Sequence, residues 1–409
     1  MKDSAAPAGD VSLAFLVVAL TFSHSMAAMA MMVLPAVAPL VAREYAVDPS
    51  LVGYQISIVS VGLLISLVTV GNLSRKLGAC RANQIGHAMV GIGVLLMLLP
   101  SIAFLLPGSL VIGLGFGLLA PSASALLIRF APPARRNFVF SVHQTSIPLG
   151  GMVAALGAPV VAVNFGWRWA FAAAFMLIAA AIALMQVGRR RWDDDRDPAA
   201  RALAGNPFAG FMANWRERRL RRLSLAGFSF CWAQFCVSAF TVVACVQALE
   251  MSLIAAGTVL MTVQIANAAG RMIAGWIADH LGSAARVLAW MGWAMLAVSI
   301  GFVWLAPAWP LWLTYLMFAV LGITSGAWAG ILLAEVGHLA PPGQVGAVVS
   351  GTLVYVNLGK FAGPAVFSAT YALTHSYGIA FALIAVPALV AVYCLSGNRN
   401  APAAAGTAA

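Results

Sequence analysis

Apolar runs, each long enough to cross a bilayer, follow one another along nearly the whole of this 409-residue chain. A membrane-spanning helix needs about 20 such residues. Lipid also demands that every backbone polar group be satisfied within the protein, which leaves only helices and closed barrels. A barrel would show alternating segments of about 10 residues, and the chain has none. A soluble domain carries about 25% charged residues; this chain has 9%, with 62% hydrophobic. The fold class is an all-α membrane protein.

Counting by apolar length gives twelve spans. The first six are Val11–Val41, Leu51–Leu73, Asn83–Leu99, Ile102–Phe130, Asn137–Val163 and Trp167–Val187. The second six are Leu223–Leu249, Leu253–Ile277, Val287–Trp304, Leu311–Leu333, Val345–Leu373 and Ile379–Leu395. The expected organisation is a six-helix half over 1–188, a basic linker over 189–222, a second six-helix half over 223–396 and a disordered tail over 397–409.

The net charge of +11 does not point to nucleic acid, because the basic residues gather in a few short loops. About half of them lie in the linker. Arg75, Lys76 and Arg81 follow the second span, and Arg129, Arg135 and Arg136 follow the fourth. Basic loops face the cytoplasm, so both termini are expected there, with the chain in the inner, cytoplasmic membrane. The first run is too long for a signal-peptide core and reads as a retained helix. The linker's end, "WRERRLRRL", reads either as an amphipathic helix on anionic lipid or as a solvated tether. The five cysteines form no disulfide or metal pattern.

The two halves carry a repeat. "GNLSRKLG" (Gly71 to Gly78) follows the second span, and "GWIADHLG" (Gly275 to Gly282) follows the eighth. "APP" follows the fourth span at Ala131 and the tenth at Ala340. Counted forward from either proline pair, Leu149-Gly150-Gly151 falls on Leu358-Gly359-Lys360. Lys360 thus stands where the other half has glycine.

That lysine is the chain's most demanding residue. A charge near the bilayer centre costs at least about 2.5–3.5 kcal/mol. Lys360 lies deep within its span, too far from either end to snorkel easily. It needs a counter-charge, a wet cavity or neutralisation. No aspartate or glutamate lies mid-span: Glu335, Glu250 and Asp279 fall at helix ends or in loops. Either an anionic substrate supplies the partner, or the amine is neutral or bonded to backbone carbonyls. Arg271 is a second cation, about one turn before Gly275; it meets substrate, snorkels, or pairs with Glu335 or Asp279.

This layout resembles the major facilitator superfamily, whose loop signature G-x-L-x-D-R-x-G-R lies between spans two and three with a weaker copy between eight and nine. Here the second copy keeps Gly275, Asp279, Leu281 and Gly282, whereas Arg75 replaces the first copy's aspartate. "HQTSIPLGG" (His143 to Gly151) and "GWRWAF" (Gly166 to Phe171) also look like stretches of bacterial members. The resemblance implies a secondary transporter with two pseudo-symmetric six-helix halves, the major facilitator fold. It implies gating residues at Gly71, Arg75, Gly78, Gly275, Asp279 and Gly282, with Arg129 and Glu335 at the same rim. The glycines would let helices approach closely, and Asp279 would latch the cytoplasmic side. An arginine in span eight with a lysine in span eleven is similar to the oxalate:formate antiporter branch, which handles carboxylates.

His24, Gln144, Gln234, Gln264, Tyr355 and Asn357 are the remaining candidate substrate contacts; His24 also reads as a satisfied core histidine, and the others as interhelical packing. The expected function is alternating-access transport of a small organic anion, by anion exchange or proton symport. The rival is a proton-driven exporter of drugs or other hydrophobic compounds. The expected partners are a small anionic solute and the lipid bilayer, with the chain a functional monomer. The chain has no Walker nucleotide loop, no clustered catalytic residues and no metal pattern. No cofactor is expected, and no enzymatic activity.

Overall fold

The computed structural model describes residues 12–69, 73–132, 135–199, 208–341 and 344–396. The described residues form only helices and their connections. The first half contains α1 (Leu13–Tyr45), α2 (Val52–Thr69), α3 (Leu73–Leu77), α4 (Ala79–Met97), α5 (Leu105–Phe130), α6 (Arg136–Gln144), α7 (Ser146–Phe165) and α8 (Trp167–Trp192). A connecting helix, α9 (Phe208–Arg216), follows. The second half contains α10 (Arg218–Gln247), α11 (Leu253–Leu281), α12 (Ala284–Gly301), α13 (Leu311–Gly326), α14 (Ala329–Leu339), α15 (Val345–Thr374), α16 (Tyr377–Ala382) and α17 (Ala385–Ser396). The pairs α6–α7, α13–α14 and α16–α17 each make one broken crossing, so the bundle crosses the membrane twelve times.

Among the described residues, 11 helical segments are long and apolar enough to span by themselves. The twelfth crossing is α4, whose 19 residues include buried Asn83, Gln84 and His87. It crosses because neighbours take up most of those polar atoms, as lipid requires. Asn83 Nδ2 donates to Ser122 Oγ at 3.0 Å, and Gln84 Nε2 donates to Gln186 Oε1 at 2.9 Å. His87 places its ring nitrogens on the carbonyl oxygens of Asn83 and Ser23, at 2.9 and 2.7 Å.

The repeat seen in sequence recurs as contacts. In the first half α1 packs on α7, α2 on α5, and α4 on α8; in the second α10 packs on α15, α11 on α13, and α12 on α17. Small residues set these approaches. A Cβ on Gly113 would fall 2.0 Å from the Val59 carbonyl oxygen, and one on Gly322 would fall 2.8 Å from that of Val263. Gly150 abuts the Ser25 carbonyl as Gly359 abuts that of Phe228; a Cβ on either glycine would fall 2.2 Å from the oxygen it faces. The alignment of Gly150 with Gly359 is therefore a structural equivalence.

With twelve crossings, Ser12, Trp192, Arg218 and Ser396 share one face of the bundle, here the linker face. The halves meet most closely toward the other face, through α2 with α15 and α7 with α11. A Cβ on Gly53 would lie 2.3 Å from the Pro364 carbonyl oxygen, and its counterpart on Gly257 would lie 2.4 Å from that of Ala155. Ser57 Oγ donates to the Phe361 carbonyl and Ser368 Oγ to the Ser50 carbonyl, both at 2.6 Å. These contacts close the bundle on that face.

The described parts of the linker are largely helical. Helix α8 runs on to Trp192. The basic stretch "WRERRLRRL" breaks at Glu217, whose carboxylate caps α10 by accepting from Leu220 N at 2.7 Å. Helix α9 docks on the second half: Asn214 Nδ2 donates to the Val348 carbonyl and to Thr352 Oγ1, both at 2.9 Å. The tail over 397–409 lies outside the described residues.

Candidate substrate cavity

Between the halves lies a cavity of about 440 Å³, walled by α1, α2, α5, α6, α7, α10, α11, α14 and α15. Its lining runs from mid-bundle toward the linker face, through Leu67, Ser124, Leu333 and Val349. The cavity therefore lies on the side away from the Gly53 and Gly257 contacts.

Lys360, Arg271, His24, Asn357, Gln144 and Gln234 all line it. None of its described lining residues is acidic. The Lys360 ammonium lies 4.3 Å from the Phe235 ring centroid and 5.4 Å from that of Phe116, with Met31 Sδ at 3.2 Å. Aromatic faces carry partial negative charge and attract cations, by about 2 kcal/mol when desolvated. The amine is thus held by two rings, and it touches neither an acid nor lipid.

Arg271 Nε donates to Asn267 Oδ1 at 3.0 Å, and its Nη1 donates across the half interface to the Gln144 carbonyl at 3.2 Å. That carbonyl ends α6, where helix carbonyls lack intrahelical partners and favour a cation. Of the rim acids offered as partners, neither Glu335 nor Asp279 pairs with it. Gln234 Oε1 accepts from Trp328 Nε1 at 3.0 Å, and Asn357 Nδ2 donates to the Leu353 carbonyl. His24 and His143 meet edge to face, with ring centroids 5.1 Å apart.

Two candidate contacts lie elsewhere. Tyr355 faces away from the cavity: its ring stacks on Phe211 at 4.4 Å and its hydroxyl donates to the Phe211 carbonyl. Five residues from Lys360 place it about 140° round the helix. Gln264 packs against Gly151 and borders a separate void of about 10 Å³ shared with Gln234.

The rim differs from the signature's implication. Gly71 lies outside the described residues. Gly275 is not a close-approach glycine, since a Cβ there would meet nothing within 4 Å. Gly282 caps α11 with φ of 57°, a left-handed conformation that suits glycine. Asp279 is exposed and Glu335 half-buried, and neither makes an ion pair among the described residues. Arg75 is exposed, and its carbonyl accepts from Asp197 N at 2.9 Å.

The first-half carboxylate comes from α8 instead. Asp193 accepts from Cys80 N at 2.7 Å and Arg81 N at 3.0 Å, capping α4 from a different helix. Its side chain presses against Gly78, whose φ is 97°. Burial pushes its carboxyl above the usual aspartate range, against the pull of those two donors and Arg189. Arg129 pairs with Asp194 and, at 2.8 Å, with Asp195. Asp193→Ala should lower stability by about 1–2 kcal/mol, with Asp193→Asn intermediate; thermal unfolding in detergent measures both.

The family model for the Major Facilitator Superfamily matches residues 20–364, and the chain belongs to that family. It is a multi-pass membrane transporter that binds a small-molecule substrate. A benzoate transport protein from Acinetobacter baylyi (strain ATCC 33305 / BD413 / ADP1) is 24% identical over 160 residues, a match covering 36% of this chain and 33% of that protein. A crystal structure of the peptide transporter POT with sulfate superposes with a TM-score of 0.76 at 16% identity, covering 94% of each chain. A mutant of that transporter with alafosfalin gives a TM-score of 0.70 at 16% identity, covering 93% of this chain and 94% of the other. The structural likeness is one of fold.

Proposed function

We propose that this chain carries a small carboxylate across the inner membrane by alternating access, with ring-bearing carboxylates such as benzoate foremost. The observation that supports this reading is the pairing of Lys360 and Arg271 in one cavity whose described lining has no acidic side chain. A carboxylate there gains charge-assisted hydrogen bonds. Phe116, Phe140, Phe235 and Trp328 in the same wall offer faces for an aromatic ring. The similarity to a benzoate transport protein points the same way.

The linker face is assigned to the cytoplasm, because the linker and the Arg129 and Arg75 loops concentrate the positive charge there. In this conformation the cavity would then open inward, with both termini cytoplasmic. Export of cationic drugs fits less well, since it calls for an acid in the cavity.

A thermal-shift panel on purified protein tests the substrate class. Benzoate, formate, oxalate, phosphate and sulfate are the anions; tetraphenylphosphonium is the cationic control. Stabilisation by at least one carboxylate, together with its counterflow in proteoliposomes, is the expected result. A response to the phosphonium alone would overturn the reading.

A further inference from the structure

Scattered in sequence, His24 on α1 and His143 on α6 touch in the structure, with ring planes 83° apart. Both are buried, both line the cavity, and Nδ1 of each has no hydrogen-bond partner. A buried polar atom left unpaired costs about 1–3 kcal/mol, and these two belong to neighbouring rings in one cavity wall. His87, by contrast, has both ring nitrogens on carbonyl oxygens. Phe116 links the pair to the lysine: its ring lies edge-on to His24 at 5.1 Å and faces the Lys360 ammonium.

The charged and titratable neighbours are few. Lys360 on α15, Arg271 on α11 and Cys231 on α10 line the same cavity, and His87 on α4 contacts α1. The described lining residues of α2, α5, α7 and α14 are not titratable. Every permanent charge in the described wall is therefore positive.

We propose that His24 and His143 together bind the proton that couples carboxylate transport to the pH gradient. The proposal rests on the carboxylate reading of the cavity. When Lys360 and Arg271 are uncompensated, a third positive charge is disfavoured. When a carboxylate binds, one imidazole takes a proton from water, and the pair carries the resulting positive charge beside the anion. When the carboxylate leaves, the two cations repel the imidazolium, and its proton returns to water. Proton and anion thus enter and leave together, each raising the other's affinity by the same factor.

Calorimetry of benzoate binding in buffers of different ionisation enthalpy tests this on the full-length protein. About one proton should be taken up per benzoate, and affinity should rise about tenfold per unit fall in pH while the pair is neutral. In the double variant His24→Gln with His143→Gln both effects should disappear, because an amide does not protonate, and each single variant should weaken them. Accumulation driven by a pH gradient should fall at least about tenfold relative to benzoate counterflow in the same vesicles. Melting temperatures near the parent's show that the variants fold; a variant that does not fold is replaced by the corresponding asparagine.

Proton uptake or gradient-driven accumulation persisting in the double variant would overturn the proposal. So would benzoate counterflow by the parent with no proton uptake. Complete loss of benzoate binding in both folded variants would place the pair in the anion site itself and also overturn it. If the parent exchanges none of the panel anions, the carboxylate reading fails first and takes this proposal with it.

Discussion

Lys360→Met should melt at or above the parent temperature yet lose carboxylate binding by about 30- to 100-fold, the worth of one charge-assisted hydrogen bond. Methionine keeps an unbranched stem of similar length and favours contact with aromatic edges. It should settle among Met31, Phe116 and Phe235, where the amine now lies. Removing a charge from mid-membrane removes an insertion cost of about 2.5–3.5 kcal/mol, so the variant gains stability while losing function. A merely structural lysine would give the opposite pattern. Lys360→Arg, which keeps the charge on a bulkier head, should retain partial binding. Parent-level transport by Lys360→Met would end the anion reading.

The second large effect is conformational. Gly53→Val should prevent closure of the face opposite the linker and stop transport. Its side chain would collide with the Pro364 carbonyl, Ser368 Oγ and the Phe240 ring, all within 2.5 Å of the first added carbon. Two of those three obstacles are backbone or tightly packed, so α2 and α15 must separate. Overpacking of this kind costs about 1–3 kcal/mol, enough to shift a two-state equilibrium about tenfold or more. Gly257→Val, against the Ala155 carbonyl, should behave alike. Gly157→Val, where a Cβ would meet nothing within 4 Å, is the matched control. The readout is maleimide labelling, from the linker face, of Ser124→Cys in the cavity wall with Cys231 replaced by serine. Labelling should fall about tenfold in Gly53→Val and hold in the control. Unchanged labelling with normal transport would show that the α2–α15 contact is not a gate.

The spans were readable because lipid imposes a length on apolar runs, and the apolar runs of the chain obey it. The exceptions are instructive. Helix α4 begins at Ala79, before its expected start at Asn83, because Asp193 of a distant helix caps it at Cys80 N and Arg81 N. The halves were readable as a repeat because their glycines serve the same purpose twice: Gly150 against Ser25 and Gly359 against Phe228.

The site was only partly readable. Lys360 and Arg271 stood out because charge is rare at depth. The rings and sulfur that hold the ammonium did not, since a phenylalanine in a membrane helix is unremarkable until its face meets a cation. His24 and His143 come from distant helices, and no spacing links them. Tyr355, chosen for its nearness to Lys360 in sequence, lies on another side of the same helix. Asp193 was one of three consecutive aspartates in a charged loop, and only the packing of α8 beside α4 singles it out.

The aromatic cradle around Lys360 bears on how long a passenger stays. An unattended ammonium in so dry a place would seize an anion and surrender it slowly. On the carboxylate reading this one would have somewhere to return to: as the anion departs, the faces of Phe116 and Phe235 would take back the charge. Dwell time would thereby be shortened, and a carrier that must deliver as often as it collects would keep its turnover.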